Sequence, residues 1–78
     1  MEYVAVFFTH SGAIRYDKYL KSIGVESILL PVPRRLSSSC GIGTRFNYNE
    51  NIESIVCDDI NKVFTYNSGA YEMIYENE

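Results

Sequence analysis

The thiol of Cys40 is the group in this sequence best suited to chemistry. It stands near the end of segment 31–41, which reads Pro-Val-Pro-Arg-Arg-Leu-Ser-Ser-Ser-Cys-Gly. A thiol reacts as the thiolate, and nearby cations, hydrogen-bond donors and helix N-termini lower its pKa. The segment supplies such groups in the side chains of Arg34, Arg35, Ser38 and Ser39 and in the backbone amide of Gly41. We therefore expect a reactive thiol here.

The same residues are also compatible with two other roles for the segment. Backbone amides and arginines can form a concave site for a small anion, although the Gly-Lys-Ser/Thr ending of a phosphate loop is missing. A free cysteine can also be a small, inert residue at the start of a strand. Two cysteines and one histidine do not support a tetrahedral metal site, and we expect neither a metal nor a cofactor.

The first half of the chain predicts a strand, a helix and a second strand. Segment 3–8 is continuously apolar and aromatic, as in a buried strand. Ser11 is a candidate N-cap, and Gly24 suits the C-terminal end of a helix. Between them, apolar residues recur at helical spacing. Segment 27–31 predicts the second strand, which ends at a proline.

The second half of the chain predicts a strand, a second helix and a final strand. Residues 42–48 alternate between apolar and small or polar types, as in a half-buried strand. Asn49 or Asn51 can cap a second helix, whose apolar positions run from Ile52 to Phe64 and which ends at 67–69. Cys57 lies beside the apolar stripe of that helix, where packing is the expected role. Residues 71–76 form the last strand.

The resulting element order, β-α-β-β-α-β, predicts an α+β two-layer sandwich of the ferredoxin-like split-βαβ type. This fold has a four-stranded antiparallel sheet with two helices on one face. Its topology puts the end of the first strand, the start of the first helix and segment 31–41 at one end of the sheet. His10 is therefore expected near Cys40, as a further member of the anion-binding site.

A two-layer sandwich covers one face of its sheet, yet the first strand is apolar on both. Val4, Val6 and Phe8 would lie on one face, and Tyr3, Ala5 and Phe7 on the other. An exposed apolar face favours association. We therefore expect a homodimer that forms through the open sheet face.

The length and the net charge of the chain restrict the kinds of function that we expect. Seventy-eight residues fit a single domain, 1–78. A net charge of −3 argues against nonspecific nucleic-acid binding, which needs a basic surface. No basic and apolar leader precedes segment 3–8, which is too short to span a bilayer. We expect a cytoplasmic protein that binds neither nucleic acid nor membrane.

The chain resembles the small bacterial family of selenium/sulfur-carrier-like proteins. The resemblance lies in the strand-helix start Val-Phe-Phe-Thr-His-Ser-Gly-Ala, residues 6–13, and above all in the Pro-x-Pro-Arg, Ser and Cys-Gly run of segment 31–41. Cys40 falls on the cysteine of that family, whereas the resemblance assigns no role to His10.

The resemblance implies a non-enzymatic carrier whose Cys40 bears a persulfide or selenopersulfide, with donor and acceptor proteins as partners. The alternative is a binding or regulatory module for a small anion or a protein partner, without catalysis. A redox protein working through mixed disulfides ranks third, because the sequence has no Cys-x-x-Cys motif.

Overall fold

One five-stranded antiparallel sheet and one α-helix form the described part of the chain. The computed structural model describes residues 1–36 and 41–77. Along the chain the elements are β1 (Glu2–Phe7), α1 (His10–Ser22), β2 (Ser27–Pro31), β3 (Ile42–Asn47), a 3-10 helix (Ile52–Ile55), β4 (Ile60–Asn67) and β5 (Ala70–Glu76). The strands lie in the order β2-β3-β1-β4-β5, and all neighbours are antiparallel.

The predicted ferredoxin-like sandwich, with four strands and two helices, is wrong. The first strand, the first helix and the next two strands occur where the sequence indicated them. The predicted second helix is instead a single 3-10 turn, capped by the side chain of Asn51, followed by strand β4. Strand β4 then pairs with β5 as a hairpin at the edge of the sheet.

A β-bulge explains why the strand β4 resembles a helix in the sequence. Phe7 pairs with Ile60 and Val6 with Lys62, so that Asn61 is an extra residue in the ladder. The bulge returns Ile60 and Val63 to the same face of the sheet although they are three positions apart. A spacing of three along one face is the signature of a helix, which made the pattern misleading.

The turn between β4 and β5 is a two-residue hairpin loop. Ser68 and Gly69 both have positive φ, 52° and 83°, as a type I′ turn requires. Asn67 and Ala70 close the ladder on either side. The Asn-Ser-Gly sequence, interpreted above as the end of a helix, is thus a reversal between two strands.

Helix α1 is capped at both ends. The N-cap is Thr9 rather than the expected Ser11: its Oγ1 accepts a hydrogen bond from the amide of Gly12 at 3.0 Å. At the C-terminus Gly24 has a φ of 81°. The amides of Gly24 and Val25 donate to the carbonyls of Lys21 and Leu20, which forms a Schellman motif.

The two faces of the sheet have separate cores. On the helix face, residues from β1, α1, β3 and β4 form the larger cluster. On the second face, Val32 and Leu36 pack on the rest of the smaller cluster, formed by Val4, Val6 and Phe64. Val4 and Val6 are only 1% and 0% exposed. The expected open face is therefore wrong for β1, because the chain after β2 folds back over it.

Candidate functional site

Segment 32–36, the part of the predicted site that the structure describes, is anchored across the second face of the sheet. The amide of Val32 donates to the carbonyl of Gly41 at 3.0 Å, which extends the ladder between β2 and β3. A hydrogen bond from the amide of Leu36 to the carbonyl of Pro33, at 2.9 Å, then closes a turn. Buried side chains hold the segment at both ends, since Val32 and Leu36 belong to the second core.

Gly43 makes the close packing of this segment possible. A Cβ atom at position 43 would lie 2.6 Å from the carbonyl oxygen of Ala5 and 2.9 Å from Cγ1 of Val32. Both distances are shorter than real contacts of a Cβ atom. The absent side chain thus leaves the room that Val32 fills, and Gly43 positions the start of the segment.

The two arginines of the segment face solvent. Arg34 and Arg35 are exposed, between the buried side chains of Val32 and Leu36. Arg35 and Leu36 line one side of a cavity of about 400 Å³, and Gly69, Ala70 and Tyr71 of the β4–β5 hairpin line the other. The segment thus presents its cations outward, with space for a bound group beside Arg35.

Gly41 is exposed, with nothing within 4 Å of the position where a Cβ atom would stand. The Cα atom of Gly41 therefore borders open space on that side. The other three predicted site residues of the segment, Cys40, Ser38 and Ser39, lie outside the described residues.

His10 begins helix α1 and is exposed. Strand pairing puts Phe7, Pro31 and Ile42 at the same end of the sheet, where these strands begin or finish. The start of α1 and segment 32–36 therefore lie at that end. The helix, however, packs on one face of the sheet and segment 32–36 on the other. Among the described residues, no hydrogen bond or ion pair joins His10 to this segment.

Cys57 occupies an environment that the sequence did not indicate. The expectation that it packs on a second helix is wrong, because it is exposed in the turn between the 3-10 helix and β4. It lines a cavity of about 350 Å³ between this turn and helix α1, together with Arg15, Tyr16, Tyr19, Ser54, Ile55, Val56 and Asp59.

Arg15, Asp59 and the hydroxyl of Tyr16, which line the Cys57 cavity, have partners within the fold. Arg15 donates to both carboxylate oxygens of Asp59, at 3.0 and 3.3 Å, and this hydrogen bonding raises the pKa of Arg15. The hydroxyl of Tyr16 donates to the carbonyl of Ile55 at 2.9 Å, and burial raises the pKa of Tyr16. Arg15 and Asp59 stand 44 positions apart in the sequence, so no local sequence pattern indicates that they pair.

A second ionic cluster lies on the face that carries segment 32–36. Arg45 contacts Glu2 at 2.9 Å and stacks over the ring of Tyr66, with its guanidinium carbon 5.3 Å from the centroid. Tyr66 in turn contacts Tyr71, at 5.0 Å between centroids. Hydrogen bonding to Glu2 raises the pKa of Arg45. The cation therefore has partners within the fold, unlike Arg34 and Arg35, for which no ion pair is described.

The described residues contain no group of three or more histidine, cysteine or acidic side chains arranged to hold a metal ion. Within the same part of the chain, α1 is the only α-helix, and no helix has the length and apolar character needed to cross a membrane.

The relationship of the chain to known proteins rests on a match to one protein family. No curated protein and no solved structure matches the chain. One protein family does, over residues 2–76, which include every strand and the helix described above. The chain therefore belongs to the family described as "Putative Se/S carrier protein-like".

Proposed function

We propose that this protein carries sulfur or selenium between a donor and an acceptor protein, with Cys40 as the thiol that bears the transferred atom. The observation that carries the proposal is the family membership of residues 2–76. Its description names a carrier of these two elements, and a cysteine thiol can bear either one as the terminal atom of a persulfide or selenopersulfide. A protein of this kind needs no catalytic centre of its own.

The geometry of segment 32–36 supports an anionic cargo. The buried side chains of Val32 and Leu36 hold the segment on the sheet, while Arg34 and Arg35 remain in solvent without a described ion pair. A terminal persulfide sulfur is negatively charged when deprotonated. In this proposal the two guanidiniums, the hydroxyls of Ser38 and Ser39 and the amide of Gly41 stabilise that charge. His10, which begins helix α1 at the same end of the sheet, is the remaining member of the proposed site.

Loading is a substitution at sulfur. The Cys40 thiolate attacks the terminal sulfur of a donor persulfide and forms a new S–S bond. The donor's S–S bond breaks, and the donor leaves as a thiolate, so that no external oxidant or reductant is consumed. Delivery is the same step in reverse, with the acceptor's thiolate as nucleophile.

The test is a mass measurement after loading. The protein is incubated without oxygen with a cysteine desulfurase and labelled cysteine, and peptides are then mapped under non-reducing conditions. We expect one added sulfur atom on the peptide that contains Cys40. The matched variants are Cys40→Ser, which should abolish the addition, and Cys57→Ser, which should retain it. Addition at Cys57 alone, or no addition while a known acceptor is loaded, contradicts the proposal.

A parallel experiment separates carriage from simple anion binding. If the segment only binds anions, the Cys40→Ser variant still binds a small anion and the Arg34→Ala variant does not. A carrier shows the opposite order of severity. The rate of Cys40 alkylation against pH gives a second readout, because it rises with the thiolate fraction. A thiol that titrates at its ordinary value of about 8.5 argues against a tuned thiolate.

A further inference from the structure

We propose that strand β2 is the interface of a symmetric homodimer, in which the β2 strands of two copies pair antiparallel into one continuous sheet. The proposal is independent of the thiol chemistry above. It concerns the edge of the sheet rather than its face, which Val32 and Leu36 cover.

Strand β2 is an edge with exposed apolar side chains on both faces, and its one protective residue, Pro31, stands at its last position. It is the last described strand on its side of the sheet. Ile28 is 56% and Leu29 37% exposed, and the sequence of β2, Ser-Ile-Leu-Leu-Pro, contains no charge. Its pairing with β3 is regular along its whole length. Natural edge strands normally carry charges, bulges or prolines that prevent pairing with another chain.

The opposite edge of the sheet is protected along its length. Strand β5 carries Glu72 and Glu76. Its register against β4 shifts between Val63 and Phe64, which leaves Ile74 as an extra residue. Charge and a bulge both disfavour pairing with a further strand. The charge pattern of the two edges therefore favours β2 over β5 as the strand that accepts a second copy.

The hydrogen-bonding groups of β2 are suited to pairing with themselves. Because the amide of Val32 bonds to Gly41, alternation along the ladder turns Leu30 and Ile28 toward β3 and Leu29 toward the free edge. A two-fold axis through Leu29 lets the two copies of this residue exchange both backbone hydrogen bonds. Ser27 then faces Pro31 of the other copy and donates to its carbonyl, so that the missing N–H of the proline falls at the end of the ladder.

The same register matches the side chains. It sets Leu29 against Leu29 on the helix face, and Ile28 against Leu30 on the second face. A register centred on Ile28 would instead oppose Leu29 to Ser27 and Leu30 to Glu26. Pairing apolar residues with apolar residues removes exposed hydrocarbon from water.

The helix adds an apolar side chain next to the axis. The hydroxyl of Ser27 donates to the carboxylate of Asp17 at 2.6 Å, which places Asp17 on the β2 side of α1. Ile14 lies one turn earlier on that side and is 45% exposed. Ile14 and Leu29 thus both expose apolar surface on the side of the domain that the second copy would cover.

The test is sedimentation velocity at concentrations from low to high micromolar. We expect the unmodified protein to dimerise and Leu29→Lys to raise the dimer dissociation constant about tenfold or more. The matched control is Met73→Lys on β5, which replaces a residue that is 48% exposed and should leave the dissociation constant unchanged. A monomer at every concentration, or an equal effect of the two variants, overturns the proposal.

Disulfide trapping tests the register without a disruptive charge. In a background with Cys40→Ser and Cys57→Ser, Leu29→Cys should give a covalent dimer on mild oxidation, because directly opposed residues bring their Cα atoms within disulfide range. Ile28→Cys should not, since Ile28 faces Leu30 of the other copy. Cross-linking through position 28 in preference to position 29 overturns the proposed axis.

Discussion

At the scale of single residues, Asp17 is the buried carboxylate that joins helix α1 to strand β2. It accepts hydrogen bonds from Ser27 at 2.6 Å and from Lys21 at 2.8 Å. Burial raises the pKa of Asp17, but the hydrogen bonds from Lys21 and Ser27 outweigh this effect, so that the pKa lies below its ordinary value of 3.8. The folded state thus holds the charged form more strongly than the unfolded chain does.

This difference predicts a loss of stability in acid. Since the unfolded chain protonates Asp17 at a higher pH than the folded protein, the contribution is complete above about pH 4 and is lost as the pH falls through the lowered pKa. Asp17→Asn should cost on the order of 1 kcal/mol at neutral pH and flatten the acid limb. Urea unfolding from neutral to acidic pH measures both effects. The exposed Asp58, changed to Asn, is the control, and identical pH slopes for the two variants would contradict the assignment.

At the scale of elements, Gly43 couples the central sheet to segment 32–36. Gly43→Ala places a Cβ atom 2.6 Å from a backbone oxygen of β1, and neither strand can move without breaking the ladder. We expect a loss of about 1–3 kcal/mol in the free energy of unfolding, as for other overpacked positions. Denaturant titration measures this loss.

Gly41→Ala is the matched control for this prediction. Gly41 directly precedes strand β3, which contains Gly43, yet nothing stands within 4 Å of the Cβ atom that alanine would add. Its stability should stay within about 0.5 kcal/mol of the parent, as is usual for surface changes. Equal losses for the two glycines would show that the close approach at Gly43 is not what limits this position.

The elements also show what could be predicted from sequence and what could not. Strand β1 is apolar and aromatic from Tyr3 onward, and Gly24 marks the end of α1, so that local signals were sufficient there. Strand β4 was misread because the bulge at Asn61 gives a strand the spacing of a helix. Bulges depend on pairing with a neighbour, which a local pattern does not contain. The β-branched and aromatic run Val-Phe-Thr-Tyr before Asn-Ser-Gly was the available signal for a hairpin.

The candidate site was predictable to a similar degree. Prolines, arginines and serines without periodicity indicate a loop over residues 32–40, and Arg34 and Arg35 within it are exposed. That the loop would also supply Val32 and Leu36 to a core was not visible, because neither residue belongs to a periodic element. The Cys57 cavity was not predictable from local patterns either. Its lining residues come from α1 and from a turn about 40 positions later in the chain.

At the scale of the whole molecule, Leu36 closes the second core. It is buried against the cluster of Val4, Val6 and Phe64. Leu36→Ala should cost about 2–4 kcal/mol in the free energy of unfolding, as for other buried leucines. It should also release segment 32–36, so that trypsin cleaves faster after Arg34 and Arg35 under native conditions.

Leu29→Ala provides the comparison, since this leucine lies outside both buried clusters. Cleavage after the two arginines should stay slow in that variant. Equal cleavage rates in the two variants, measured by mass spectrometry at low protease concentration, would mean that Leu36 does not anchor the segment.

The seating of Val32 and Leu36 in a core has a consequence for how this chain can vary. In most proteins a functional loop can drift in length and composition while the scaffold keeps the fold. Here Val32 and Leu36, which precede the proposed carrier thiol in the chain, also shield Val4 and Val6 from water. A substitution at either of these two positions therefore changes the amount of folded protein as well as the segment. An exhaustive mutational scan should find positions 32 and 36 as intolerant as the strands beneath them, and the exposed positions 34 and 35 tolerant for folding.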